Sequence, residues 1–289
     1  MLAPEIVAAA VVNGLLTGAV YALVSVALTL VYGVLHIVNF AHGAILTAAM
    51  FAAYFLQMAG LDPLIAVFAL APLFFALGYA VQRYAIGPAS HGDDGNTLLV
   101  TLGLAILIEN LLLAAFGSDT RTIDVPYGFA SIDLGFVFVP APRIIAFAAT
   151  CVVAAALWAF LRLTDSGKAM RAVAKEKVGA ALVGIDTAHI YALTFGVGAA
   201  CLAVAACLLL PSYYVQPRVG NAYSFIAFTG VVLGGMGSVP GAVLGGLFIG
   251  IVESLSGLYF GESLGELGVF VLFILALLFR PTGLFGARA

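Results

Sequence analysis

Residues 30–43, which read LVYGVLHIVNFAHG, decide how the chain is expected to fold. They follow a long apolar run that begins near Ile6, and they open another that continues to about Leu56. Five glycine and polar residues fall within eleven positions here: Gly33, His36, Asn39, His42 and Gly43. Polar groups at membrane depth normally face protein or water, and glycines beside them allow a helix to break. Two interpretations follow: a discontinuous helix that lines a solute path, or a short loop between two spans.

The composition predicts an integral membrane protein. Of 289 residues, 64% are hydrophobic and only 9% are charged, whereas about a quarter of a soluble domain is charged. No stretch is polar enough to form a separate soluble domain, so we expect a single transmembrane domain over 1–289. The predicted fold class is all-α: a polytopic transmembrane helical bundle of about eight or nine spans, with broken or re-entrant segments and a weak internal repeat.

The predicted spans follow from the rule that about twenty apolar residues cross the hydrocarbon core. They lie near 6–32, 43–59, 62–83, 97–116, 143–162, 190–211, 223–257 (a split region) and 265–279. Counting the split region as two passes gives about nine. Whether 223–236 crosses the bilayer or is re-entrant stays open, because it is short for a full span.

The orientation follows from the lysines and arginines, which concentrate on cytoplasmic loops. With the N-terminus outside and the C-terminus inside, eight of the eleven fall on the cytoplasmic side: Arg83, Arg162, Lys168, Arg171, Lys175, Lys177, Arg280 and Arg288. The opposite orientation would place most of the basic loop on the wrong face.

The predicted cytoplasmic loop, 163–189, contains a helical pattern. Residues 169–183 are helix-forming throughout, Asp165 or Ser166 is placed to cap the helix, and Gly184 to end it. An apolar stripe lies opposite the basic side chains: Met170, Val173, Ala174, Val178, Ala181 and Leu182. The segment is therefore either a docking helix for a cytoplasmic partner or a basic loop that touches lipid headgroups.

Polar residues inside apolar runs are the next candidates. Glu109, Asn110 and Glu253 are expected to face the bundle interior. A hydrogen bond that fixes helix packing is favoured over a proton relay or a cation site, because no second acid is near in sequence.

The glycine-rich part of the split region contains a second predicted break, since Ser238, Pro240 and Gly241 interrupt a helix. Residues 240–244, PGAVL, resemble 42–46, HGAIL, and paired interruptions in two halves of a chain predict a path at a repeat interface. The region lacks the Lys-Ser/Thr of a nucleotide-binding loop. The three cysteines show no metal-ligand spacing.

Three segments together carry a resemblance to a known family: 13–43, 179–186 (GAALVGID) and 228–246 (FTGVVLGGMGSVPGAVLGG). The chain resembles the membrane permease of branched-chain amino acid ABC importers, specifically the LivH-type membrane subunit. The resemblance implies a bacterial inner-membrane protein that works with a second homologous permease, two cytoplasmic ATP-binding subunits and an extracytoplasmic substrate-binding protein. It also implies that ATP and magnesium are bound by the partner subunits. We expect no metal, cofactor or nucleic acid on this chain, which contacts the lipid bilayer and performs no covalent chemistry.

The resemblance also suggests site residues. The translocation path is assigned to His36, Asn39, Phe40, His42, Gly43, Gly234, Gly235, Ser238, Pro240 and Gly241. Coupling to the ATPase is assigned to Lys168, Arg171, Lys175, Glu176, Ala180, Gly184 and Ile185. Two alternatives stay open: a permease for urea or short amides in the same superfamily, and an autonomous secondary carrier or channel.

Overall fold

The computed structural model describes residues 4–90, 94–128, 130–133, 135, 137–261, 264–280 and 283. The chain folds into twelve α-helices within these ranges: α1 (Pro4–Leu35), α2 (His42–Met58), α3 (Pro63–Ala80), α4 (Gly87–Ser90), α5 (Asp94–Phe116), α6 (Ala141–Leu163), α7 (Asp165–Lys175), α8 (Lys177–Leu182), α9 (Thr187–Leu209), α10 (Gly220–Gly234), α11 (Val239–Phe260) and α12 (Gly265–Phe279). A π-helical turn, Val81–Ile86, joins α3 to α4. Strands β1 (Ser131–Asp133) and β2 (Phe138–Pro140) form an antiparallel hairpin in which Ser131 pairs with Pro140.

The predicted all-α membrane bundle is confirmed. Six of the helices in the described part are long and apolar enough to cross a membrane, and three shorter apolar helices (α2, α10 and α12) accompany them. The bundle has two ends, which we name by their loops. The hairpin end carries residues 117–140, and the elbow end carries residues 163–189 with α7 and α8.

The first part of the split region belongs to a full pass across the bundle. Beyond α9, Val215 forms backbone hydrogen bonds with Arg121 at the hairpin end. The turn before α11 lies at the opposite end, where a Cβ on Gly33 would approach the Gly237 Cα to 3.3 Å. Residues 210–219 and α10 therefore connect the two ends, and 223–236 belongs to a complete crossing.

Helices α1 and α9 form the centre of the bundle. In the most apolar window of each, 89% and 83% of residues are buried. Small residues allow α11 to approach α1 closely: a Cβ on Gly18 or on Gly246 would meet backbone atoms of the opposing helix. Without such residues two helices cannot pack backbone to backbone, so the predicted glycine packing motifs of α11 have this role.

The helices form an inverted repeat. Helix α1 packs against α10 and α11, α9 packs in the same way against α2 and α3, and α2 contacts α10. Because α1 and α9 run in opposite directions, the set α1, α2, α3, α5 corresponds to α9, α10, α11, α12. The predicted match of residues 42–46 with 240–244 is therefore wrong as a repeat equivalence, since the counterpart of α2 is α10 and not α11.

Candidate translocation segments and coupling loop

The predicted break after α1 is present and has a specific cause. His36 has a left-handed backbone (φ 57°), which a non-glycine residue rarely adopts and which ends the helix. The Asn39 side-chain oxygen then accepts a hydrogen bond from the Ala41 backbone N–H at 3.0 Å and shapes the turn into α2. The discontinuous helix, rather than a loop at the membrane interface, is the interpretation that this geometry favours.

The break reaches the middle of the bundle. His42, the first residue of α2, places its Nε2 3.1 Å from the Val24 carbonyl oxygen of α1. Val24 is eleven residues from Leu35 and eleven from Asn13, whose side chain accepts a bond from Arg143 at the hairpin end. At 1.5 Å per residue along α1, the start of α2 lies about 16 Å from the level of Leu35 at the elbow end and about 16 Å from the level of Asn13 at the hairpin end.

A second break, which the sequence did not reveal as one, precedes α10. The start of α10 meets the start of α2 so closely that a Cβ on Gly220 would collide with the Gly43 carbonyl, and a Cβ on Gly43 with that of Gly220. Two helix N-termini therefore meet inside the bundle. The sequence places residues 212–222, SYYVQPRVGNA, between the predicted spans 190–211 and 223–257.

The predicted break at 234–241 is instead a tight turn at the elbow end. Gly235 and Gly237 have positive φ values of 95° and 85°, and the Ser238 hydroxyl caps α11 by accepting a bond from the Gly241 N–H at 3.2 Å. Pro240 lies in the first turn of α11, where proline is well tolerated. Residues 234–241 therefore end α10 and begin α11 at the elbow end, whereas His42 lies in the middle of the bundle.

Glu109 has a charged partner, which the sequence did not predict. The Arg218 guanidinium lies 3.0 Å from its carboxylate, and their side chains are 70% and 23% exposed respectively. Asn110 is exposed and donates to the Ile106 carbonyl of its own helix at 2.8 Å. Its predicted burial is wrong for the isolated chain, because α5 lies at the periphery with only 6% of its most apolar window buried.

Glu253 lines a cavity of about 800 Å³ at the hairpin end. Tyr21 of α1 lies near its carboxyl, and the Glu253 Oε2 is buried and has no hydrogen-bond partner among the described residues. This carboxyl faces the bundle as predicted, but no packing hydrogen bond reaches its Oε2 from the described residues.

The predicted coupling helix is two helices. The backbone leaves the helical region at Glu176 (φ −156°, ψ 101°), whose carboxylate caps α8 by accepting a bond from the Val178 N–H at 3.2 Å. The expectation of one helix over 169–183 is therefore wrong. The cap of α7 is Thr164, which accepts from the Gly167 N–H at 3.0 Å, and not Asp165 or Ser166. Gly184, with φ 89°, ends the segment as predicted.

The break divides the apolar stripe between two faces. Met170 and Val173 are fully buried and anchor α7 to the bundle. On and after α8, Val178, Leu182 and Val183 are instead 66%, 83% and 78% exposed. The elbow formed by α7 and α8 therefore presents apolar side chains outward, beyond the end of the bundle.

The elbow ends at α9, whose start is held by Asp186. The Asp186 carboxylate accepts a bond from the His189 N–H at 3.0 Å and lies 3.7 Å from the Arg83 guanidinium. The hydrogen bond from the His189 N–H and, to a smaller extent, the charge of Arg83 hold the pKa of Asp186 below its ordinary value of 3.8. On α7, the Lys168 ammonium bonds the exposed Asp165 carboxylate at 2.9 Å and lowers the pKa of Asp165.

Comparison with known families settles the relationship. The family described as "Branched-chain amino acid transport system / permease component" matches residues 10–279. The chain belongs to this family. It is 36% identical, over 95% of its length and 94% of the relative, to the high-affinity branched-chain amino acid transport system permease protein BraD of Pseudomonas aeruginosa. It is 33% identical to LivH of Escherichia coli over 95% and 94% of the two chains.

A solved structure supports the fold of this permease family member. PsaBC from Streptococcus pneumoniae, in complex with Fab, superposes with a TM-score of 0.51 over 94% of this chain and 92% of that chain. The identity is 14%, so the likeness concerns the fold alone.

The structure brings together only some of the predicted path residues. Asn39 is buried, His42 contacts α1 and Gly43 contacts α10, whereas His36 and Phe40 are exposed. Of the predicted coupling residues, five are exposed (Lys168, Arg171, Lys175, Glu176 and Gly184), Ile185 is half-buried and Ala180 is buried. The pairs Gly43–Gly220 and Glu109–Arg218 were missed, because their members are far apart in sequence and no local pattern joins them.

Proposed function

We propose that the chain is a permease subunit of an ATP-driven importer for branched-chain or other hydrophobic amino acids. The observation that carries the proposal is the match over residues 10–279, together with relatives named for branched-chain amino acid transport across about the whole chain. Partners in this proposal are a second homologous permease, two ATP-binding subunits that bind ATP and magnesium, and an extracytoplasmic binding protein.

The proposal places the elbow end in the bacterial cytoplasm and the N-terminus outside. Seven of the eleven lysines and arginines are described at or near the elbow end: Arg83, Arg162, Lys168, Arg171, Lys175, Lys177 and Arg280. Basic residues in short loops favour the cytoplasmic side. Arg288 lies outside the described residues.

The elbow is the proposed docking surface for an ATP-binding subunit. Its exposed Val178, Leu182 and Val183 lie outside the apolar bundle, where exposed apolar patches mark interaction sites. A short helix laid into a partner's groove is a recurrent recognition mode. Because Met170 and Val173 fix α7 to the bundle, movement of the docked subunit is transmitted to the transmembrane helices.

The proposed path runs beside the meeting point of α2 and α10, where both helices start inside the bundle. Helix N-termini carry partial positive charge and unpaired N–H groups, which suit the carboxylate of a passing amino acid. In an alternating-access cycle the two half-length helices would shift relative to α5. His42 acts in this scheme by holding α2 on α1 and not by touching the solute.

The test is ATP-dependent leucine uptake by the complex purified in mild detergent and reconstituted in liposomes. We expect ATP-binding subunits and a different permease to co-purify with the chain, and leucine uptake to exceed that of urea. Uptake by the chain alone without ATP would overturn the proposal in favour of a carrier. Urea uptake without leucine uptake would keep the importer and change the substrate.

A matched pair of variants tests the coupling surface. Gly184 and Gly60 both have positive φ (89° and 92°), and a Cβ on either would meet nothing within 4 Å. Gly184→Trp should abolish uptake while the chain still reaches the membrane, because the bulky ring lies where the partner docks. Gly60→Trp, at the hairpin end, should retain uptake. Equal uptake by both variants would contradict docking at the elbow.

A further inference from the structure

Several helices line the cavity at the hairpin end. It is about 800 Å³ in volume and lies between the N-terminal part of α1, the C-terminal part of α11 and the start of α12. This size lies within the range of about 300–1,000 Å³ that is typical of small-molecule sites. Its polar lining comes from Asn13, Thr17, Arg143, Glu253, Ser254 and Glu266.

The α11 wall of this cavity carries an incompletely satisfied carboxylate. Tyr21 of α1 lies near Glu253, whose buried Oε2 has no hydrogen-bond partner among the residues that the structure describes. A buried acceptor without a donor costs free energy, and such groups in native proteins normally call for a ligand or a water. Glu266 adds a second carboxylate on the α12 side.

The opposite charge comes from another element. Arg143, in the first turn of α6, lines the same cavity and donates one hydrogen bond to the Asn13 side-chain oxygen at 3.3 Å. A guanidinium has five N–H donors in a planar fork that matches a carboxylate. The cavity therefore has a cation on one wall and carboxylates on another.

The remaining wall is apolar and made by small side chains. Ala9 and Ala10 of α1 and Gly257 of α11 leave space, and Ile6 and Leu258 supply apolar surface. A ligand that carries an ammonium group, a carboxylate and a branched apolar chain has a partner for each part of this lining. Urea or a sugar would offer no charged group to either wall.

We infer that this cavity binds the zwitterionic head of an α-amino acid, with its ammonium group at Glu253 and its carboxylate at Arg143. The inference rests on the proposed amino-acid transport and assigns it an outward-facing site within one permease chain. The apolar side chain of the amino acid lies against Ile6 and Leu258.

Protection of a cysteine in the cavity wall tests the inference directly. In the complete transporter, the exposed Cys151 is changed to Ser and Leu258 to Cys, and spheroplasts without the binding protein are treated with a membrane-impermeant maleimide. Millimolar leucine should slow the labelling. The analogues 2-hydroxyisocaproate and leucinol, which lack the ammonium and the carboxylate respectively, should protect far less.

Charge variants in the labelled background identify the two walls. Glu253→Gln and Arg143→Gln should each raise the leucine concentration needed for protection by about tenfold to a hundredfold, which is the typical loss of a charge-assisted hydrogen bond. Asp133→Asn, which changes an exposed carboxylate of the outer hairpin, should leave protection unchanged. If Glu253→Gln fails to assemble, Arg143→Gln carries the test from the other wall.

The outcomes separate this inference from the proposed function. Leucine uptake by the reconstituted importer without protection of Leu258→Cys would overturn the cavity site and leave the function standing. Protection without ATP-driven uptake would keep the site and overturn the function. Equal protection by 2-hydroxyisocaproate and leucine would overturn the role of Glu253, and failure of the external reagent to label the cysteine would overturn the outward-facing placement.

Discussion

The two breaks, 36–41 and 210–219, produce the same geometry by different chemistry. Each precedes a short helix that starts inside the bundle, and each contacts α5. In the first, the Phe40 N–H donates to the Thr101 hydroxyl at 3.4 Å. In the second, Arg218 forms an ion pair with Glu109 at 3.0 Å. The two breaks therefore meet the same helix through different chemistry, although the repeat pairs α5 with α12.

The difference extends to how each short helix is anchored. The start of α2 is fixed by a polar ring, His42, on the Val24 carbonyl. Near the start of α10, Tyr223 instead packs edge-on to Tyr21, with ring centroids 6.2 Å apart. The shared feature is the glycine contact between the two helices, so a variant there should have the largest effect.

Gly220→Leu should prevent the two halves from meeting. Any side chain at 220 collides with the Gly43 backbone and the Thr47 hydroxyl, and backbone atoms cannot move aside as flexible side chains do. We expect a loss of about 3 kcal/mol or more of stability, in the upper range for overpacking. The measurement is the thermal unfolding midpoint and the recovery of monodisperse chain in detergent.

Gly103→Leu is the matched control, because a Cβ at Gly103 on α5 meets nothing within 4 Å. It should unfold at or above the wild-type midpoint, since leucine favours a helix over glycine by nearly 1 kcal/mol. An unchanged midpoint for Gly220→Leu would mean that the two helix starts do not touch.

His42→Ala should destabilise the first half alone. It removes the ring that reaches the buried Val24 carbonyl and leaves a cavity, for a combined cost of about 2–3 kcal/mol. His42→Gln, which keeps a donor of similar reach, should recover part of this loss in the same unfolding measurement. If Ala and Gln were equivalent, the hydrogen bond would not anchor α2.

The spans were predictable because about twenty apolar residues leave few alternatives. The predicted 97–116 and 190–211 agree with Asp94–Phe116 and Thr187–Leu209 to within three residues at each end. The break at 36–41 was also predictable, since His36 and Asn39 interrupt an apolar run. The order of apolar and polar residues along the chain carried this information.

The remaining features depend on partners that no local pattern specifies. His42 bonds a backbone carbonyl, which has no sequence signature, and Arg218 lies more than a hundred positions from Glu109. The apolar stripe over 169–183 predicted one helix, because Glu176 looked like an ordinary helical residue and not like a cap. The cavity residues Arg143 and Glu253 are equally distant in sequence and were not predicted to meet.

Glu109→Gln and Thr101→Val compare the two contacts with α5. We expect Glu109→Gln to cost about 1 kcal/mol at most, because the Arg218 side chain is 70% exposed and solvent screens the pair. Thr101→Val should cost a few tenths of a kcal/mol, since its bond at 3.4 Å is long. The unfolding midpoints of the two variants measure both losses. Only the loss for Glu109→Gln should become smaller in high salt. A larger loss for Thr101→Val would reverse the assigned strengths of the two contacts.

Asp186→Asn should give the smallest effect, and one that depends on pH. Asparagine still caps α9, so only the charge attraction to Arg83 is lost, between exposed groups. The pKa of Asp186 is lowered in the folded chain, so its contribution is present above the ordinary value of 3.8 and lost as the pH falls through the folded-state pKa. The unfolding midpoints of variant and wild type should therefore differ slightly at neutral pH and converge under acid conditions. A difference that widens on acidification would mean that the Asp186 charge does not stabilise the folded chain. The start of α9 would then need another contact to hold it, as the Arg143–Asn13 hydrogen bond holds α1.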